Sequence, residues 1–197
     1  IRPVCSGCEY PGMECVMDCD KIRRGVSLIL EGMGEDPERE GLSETPNRVA
    51  EFYAEFFSGL TKNPREEIRV FTTKNHDEMI IVRDISFTSM CEHHLLPFFG
   101  EVHIAYVPDF NKIAGFASLA RVVDVMARRP QLQERMTTEI AEYIIEAIRP
   151  KGVMVVIEAE HMCMTIRGVK KPGSKVLTSA IRRSEEHTSE LQSPNTI

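Results

Sequence analysis

Two short segments carry residue types that hold metals and move protons. Cys91-Glu92-His93-His94 sets a thiol and an imidazole three residues apart, and Glu160-His161-Met162-Cys163 sets a second imidazole and thiol close together. One turn can present the first pair to a single metal. Thiolate with imidazole favours zinc over harder cations. Two arrangements stay open. With Cys91, His94 and Cys163 as ligands, the fourth position of a tetrahedral ion is left to water, and His93 and His161 are free for acid–base work. With His93 or His161 as a fourth ligand, the site is closed and structural. In the open arrangement zinc lowers the pKa of bound water to about 7, which gives hydroxide at neutral pH.

A further polar cluster, Arg128-Arg129-Pro130-Gln131-Leu132-Gln133-Glu134-Arg135, reads either as a solvated helix start with Glu134 favourable in its first turn or as a recognition element. Adjacent Gln and Glu can bond to an amide and amidine edge such as that of guanine. Arg121, Arg167, Lys170 and Lys171 offer positive charge for a small polyanion. The net charge of −6 disfavours a general nucleic-acid surface. No apolar run approaches the ~20 residues of a membrane helix, and the first residues lack the order of a signal peptide. A cytoplasmic protein is expected, with its six cysteines reduced. Cys5, Cys8, Cys15 and Cys19 offer the residue types of a zinc clip, but their spacing matches no established metal motif, and none is expected there.

The elements that must position these residues follow from periodicity. Residues 18–33 carry Ile22, Val26, Ile29 and Leu30 at helical spacing. Thr45-Pro46 reads as an N-cap followed by proline in the first turn of a second helix. Strands are expected at 67–72 and 79–87, a ligand-bearing loop at 88–99, and a strand at 100–107. In that strand Val102, Ile104 and Tyr106 share one face, while His103 shares the other with Glu101 and reads as structural or solvated. Two helices follow, one marked by Leu119, Val122, Val123 and Met126, the other across 131–149. A strand at 153–160, an extended continuation at 162–167 and a strand at 175–182 complete the pattern. Strands grouped in hairpins argue for an α+β fold with an antiparallel sheet.

Both ends look foreign. Residues 1–16 are expected to precede the native start, with Met17 or Met13 the first residue. Residues 183–197 resemble the translation of a sequencing adapter and are expected to be an assembly artefact that shortens the chain near Arg182. Between them, a helical region at 17–75 and a catalytic domain at 76–182 are expected.

From about residue 18 to Arg182 the chain resembles GTP cyclohydrolase I. The resemblance rests on Cys91-Glu92-His93-His94, on Arg129-Pro130-Gln131-Leu132-Gln133-Glu134-Arg135, and on His161-Met162-Cys163-Met164 with Arg167-Gly168. Gly34 to Leu42 and Thr45-Pro46-Asn47-Arg48-Val49 add to it. It implies conversion of GTP and water to formate and 7,8-dihydroneopterin triphosphate, with zinc on Cys91, His94 and Cys163 and its water attacking C8 of guanine. It further implies His93 as proton carrier in ring opening and formate release, and His161 in ribose opening and rearrangement. Glu134 with Gln133 would hold the guanine edge, and Arg121 and Arg167 the triphosphate. The implied fold is the tunnelling fold: an antiparallel sheet with two long helices on one face, plus N-terminal helices. Subunits would form pentameric rings paired into a decamer, with active sites between subunits. The family often has Gly-Leu-Ser-Lys where this chain has Gly115-Phe116-Ala117-Ser118. Ser118 is expected to bind substrate through a hydrogen bond but lacks the cation's charge, so weaker GTP binding is expected.

Overall fold

The computed structural model describes residues 17–74 and 77–183, so the expectations for residues 1–16 and 184–197 lie outside the described residues. These form two compact units that divide between Lys62 and Asn63.

In the first unit, α1 (Cys19–Gly32) packs on α2 (Thr45–Phe56), and a 3-10 turn follows at Ser58–Thr61. Asp18 caps α1 by accepting the Lys21 N–H at 3.0 Å, which satisfies one of the free donors of the first turn. Proline falls in the first turn of α2 as expected, but the cap is Glu44 and not Thr45, and no side chain caps it. The preceding turn is already helix-like: Thr45 N–H bonds the Leu42 carbonyl at 2.8 Å, which starts the helix a residue early.

The second unit opens with the short α3 (Pro64–Glu67) and β1 (Val70–Thr72). β1 pairs antiparallel with β4 (Lys112–Ala114), which attaches it to this unit and not to the helices before it. The main sheet contains β2 (Ile80–Cys91), β3 (Leu96–Val107), β5 (Pro130–Gln131), β6 (Gly152–His161) and β7 (Lys175–Arg183) in the order β5-β2-β3-β6-β7. All its pairings are antiparallel except that of the two-residue β5 with the end of β2.

Two helices cover one face. α4 (Phe116–Ala127) packs on β2, and α5 (Gln133–Ile148) packs on β6 and β7. The core has the expected periodicities: Val102, Ile104 and Tyr106 from β3, Leu119, Val122, Val123 and Met126 from α4, and Met136, Ile140, Ile144 and Ile148 from α5 are all buried. The opposite face is open, and Ile81, Ala105, Met154 and Ile181 form one row across it. Ile81, Met154 and Ile181 are exposed.

Two differences from the sequence reading matter for the site. The expected loop at 88–99 shrinks to Glu92–Leu95, because β2 continues to Cys91 and β3 begins at Leu96. The alternation persists through Phe87, Ser89 and Cys91, all buried, but a serine at a core position hides it. Ser89 is tolerated there because its hydroxyl donates to the Ala127 carbonyl at 2.7 Å. After β6, the chain makes one helical turn, α6 (Met162–Thr165), where extended chain was expected. The Glu160 carboxylate fixes that turn by accepting Thr165 Oγ1 and the Gly173 N–H, each at 3.0 Å.

At Gly100, in β3 beside β6, a Cβ would lie 1.9 Å from the Glu158 carbonyl oxygen. Gly25 in α1 has nothing within 4 Å of such an atom. Gly100→Ala should therefore lower unfolding free energy by about 1–3 kcal/mol, whereas Gly25→Ala should raise it by about 0.4–1 kcal/mol. Urea unfolding of the two variants checks this.

Candidate metal centre and active site

The hairpin between β2 and β3 builds the first half of the site. Cys91 is the last residue of β2, and the turn closes with Leu95 N–H on the Cys91 carbonyl at 2.9 Å. Leu95 takes φ 50°, a left-handed conformation that costs a non-glycine residue roughly 1–2 kcal/mol. The turn brings His94 Nδ1 to 3.9 Å from Cys91 Sγ. The second half comes from α6, which carries Cys163 just past the end of β6. Ligand atoms of Cys91, His94 and Cys163 all lie within 4.8 Å of one another.

This donor set fits zinc. A tetrahedral zinc with sulfur at about 2.3 Å and nitrogen at about 2.0–2.1 Å separates its ligand atoms by roughly 3.5–3.8 Å, close to the spacing present. His93 and His161 are outside this group of ligand atoms. The His93 ring stands edge-on to His94 at 6.1 Å and is exposed. His161 is stacked on Phe98, with ring centroids 4.5 Å apart and planes 2° from parallel, and its Nε2 lies 2.8 Å from Gln133 Oε1.

Burial holds the His161 imidazole below its ordinary pKa, and the nearby Glu134 charge opposes that shift. Burial, and after it the neighbouring Cys91, push the Cys163 thiol up, while Arg167 pulls it back. The charges of Glu134 and Arg167 are thus felt at His161 and at Cys163. Glu134 and Arg167 are exposed and open to a ligand, whereas Gln133, expected beside Glu134 at the guanine edge, is 1% exposed and bonded within the chain. Arg121 Nε donates to Glu67 Oε2 at 2.9 Å, and Arg121 also donates to Ser118 Oγ at 3.3 Å. Ser118 is 2% exposed, and its hydroxyl oxygen also accepts the Arg69 N–H at 3.1 Å.

Three residues named in the sequence motifs, Glu92, Gln131 and Arg135, have a supporting role that the sequence did not show. Gln131 Oε1 accepts Arg135 Nε at 3.0 Å, Arg135 reaches on to the Glu92 carboxylate, and Glu92 N–H bonds the Gln131 carbonyl at 3.1 Å. The ligand turn is thereby tied to the start of α5. Gln131 and Arg135 sit four apart, a helical-neighbour spacing visible in the sequence, but no spacing points to Glu92. A second group of possible ligands, Asp84, Glu101 and His103, lies at a β-bulge on the open face. There His103 Nδ1 accepts the Asp84 N–H at 3.1 Å, in keeping with the structural role expected for it.

Two thiols and one imidazole thus converge within reach of a single metal ion, and His93 and His161 lie outside that group. The family model for GTP cyclohydrolase I matches residues 22–196. The chain is 58% identical over 167 residues to GTP cyclohydrolase 1 of Carboxydothermus hydrogenoformans, covering 85% of this chain and 87% of that protein. It is 58% identical to the protein of that name from Clostridioides difficile, covering 84% and 88%, and 57% identical to that of Bacillus subtilis, covering 83% and 86%. The chain belongs to the GTP cyclohydrolase I family.

Removing the Arg135–Glu92 link leaves the ligands in place but frees the turn that aims two of them. Arg135→Met and Glu92→Gln should each weaken zinc affinity by about 10–100-fold. Competition with a chromogenic chelator measures it, and unchanged affinity would show that the turn needs no tether.

Proposed function

We propose that this chain is a zinc-dependent GTP cyclohydrolase that converts GTP and one water to formate and 7,8-dihydroneopterin triphosphate. The observation that carries the reading is the convergence of Cys91, His94 and Cys163, from two distant segments, at one metal-sized site. A zinc held by these residues supplies a Lewis acid that makes water nucleophilic near neutral pH.

The protein's own groups do the rest. Glu134 holds the guanine edge through its carboxylate and so orients the base. His93, exposed beside the ligand turn, carries protons during opening of the imidazole ring and release of formate. His161, whose pKa burial keeps low, remains neutral at physiological pH and can accept a proton during ribose opening and the later rearrangement. Arg167 and Arg121 hold the triphosphate. The Glu67 carboxylate already pairs with Arg121, and the buried Ser118 hydroxyl replaces a cation without supplying its charge. Ser118→Lys should therefore lower the KM for GTP several-fold, and an unchanged KM would remove residue 118 from the triphosphate site.

The architecture supports the tunnelling fold. Two long helices cover one face of the sheet, and its outer strands β2 and β7 leave edges unpaired over most of their length. Edges of that kind, beside the exposed row of Ile81, Met154 and Ile181, suit pairing with further copies of the chain in a ring, and paired rings would make the decamer. Among the described residues no helix is long and apolar enough to cross a membrane, and we assign the enzyme to the cytoplasm.

Purified chain incubated with GTP and zinc should release formate and yield a pterin that fluoresces after oxidation, one formate per pterin. A chelator should abolish both signals, and added zinc should restore them. Zinc bound at one equivalent without formate release would instead make the chain a non-catalytic binding module.

A further inference from the structure

We infer that Gln133 is a positioning residue that fixes His161 in the tautomer carrying its proton on Nε2. The inference rests on the reading of His161 as a proton carrier and adds which ring nitrogen is free to act. It moves Gln133 from a contact with the base to a contact with the catalytic ring.

The orientation of the Gln133 amide follows from its neighbours. Its nitrogen lies 3.0 Å from the Ile157 carbonyl oxygen, 3.0 Å from the Val176 carbonyl oxygen and 3.1 Å from Thr178 Oγ1. Carbonyl oxygens only accept, so the NH2 end must face them. The flipped amide would set its oxygen against two carbonyl oxygens, which cannot donate to it, in a side chain that is 1% exposed. Oε1 is therefore the end that faces His161 Nε2 at 2.8 Å. An amide oxygen cannot donate, so Nε2 carries the proton, and in the neutral ring Nδ1 holds the lone pair.

Two threonines lock this direction. Thr137 Oγ1 donates to the Gln133 backbone carbonyl at 2.7 Å, which uses its one proton. It must then accept from Thr178 Oγ1, also at 2.7 Å. Thr178 has thereby used its own proton and can only accept from the Gln133 amide. The bonds close a circuit that leaves Gln133 through its side chain and returns to its backbone. Phe98, stacked on the ring, holds the plane of His161 but is indifferent to which nitrogen is protonated. The choice of tautomer falls to Gln133.

Nitrogen-15 spectra of histidine-labelled, zinc-loaded protein test this directly. His161 should show a protonated Nε2 and an unprotonated Nδ1, with the Nε2 proton slow to exchange. Gln133→Met, which keeps the shape of the side chain and loses the acceptor, should give averaged nitrogen shifts and rapid exchange. The same variant should lose about 10–100-fold in kcat with little change in the KM for GTP. An Nδ1-protonated His161 in the unmodified chain would overturn the inference, and that spectrum needs no variant to fold. So would a Gln133→Met spectrum identical to the parent's, or a rise in KM without loss of kcat, which would mark a substrate contact. An unmodified chain with Nε2-protonated His161 but no turnover would overturn the functional reading while supporting the role of Gln133.

Discussion

The site depends on the register of one strand. β3 lies between β2 and β6 and is paired with both, so Ser89, Phe98 and His161 fall in a single row across the sheet. Cys91 is two residues beyond Ser89, and Cys163 is two residues beyond His161. Segments some seventy positions apart in the chain are thus brought to the same end of the sheet by their pairing with β3. Because strand side chains alternate with period two, a slip of one residue on either side of β3 would turn Phe98 or His161 to the opposite face and separate the ligands. The buried valines and isoleucines of β3 and β6 hold that register, since any slip would expose them.

Around this frame polar groups, some buried and some at the surface, aim side chains. Ser89 ties β2 to the end of α4, Gln131 and Arg135 tie the ligand turn to α5, and Glu160 fixes α6. Gln133, Thr137 and Thr178 form their circuit under His161. Each is an internal bond whose loss would leave a group without its partner, so each constrains geometry more than it adds to stability. The exposed ion pairs elsewhere, such as Lys21–Asp18 and Arg39–Glu35, contribute little to stability by comparison.

Much of this was legible in the residues themselves. The helices and strands carried clear periods, and Leu119, Val122, Val123 and Met126 fell on one face as their spacing implied. Two clusters of cysteine and histidine marked the three residues whose ligand atoms converge. What the sequence hid was the set of polar residues that work from inside. Ser89 looked like loop and is a core position of a strand, and Gln133 looked like a surface reader and is enclosed. A polar side chain is buried only when partners from other elements meet it, and neither composition nor period names those partners. The α6 turn was missed for a similar reason: Glu160 reaches forward to Thr165 and Gly173, a tertiary clip that overrides the extended tendency of the run.

Cys91, His94 and Cys163, brought together by this register, would leave the fourth position of a zinc ion open. X-ray absorption at the zinc edge of the zinc-loaded protein tests it most directly. The account predicts two sulfur neighbours at about 2.3 Å, the multiple scattering of a single imidazole, and one further light ligand at about 2.0 Å. Scattering from two imidazoles would mean that His93 or His161 closes the site, and would contradict the account.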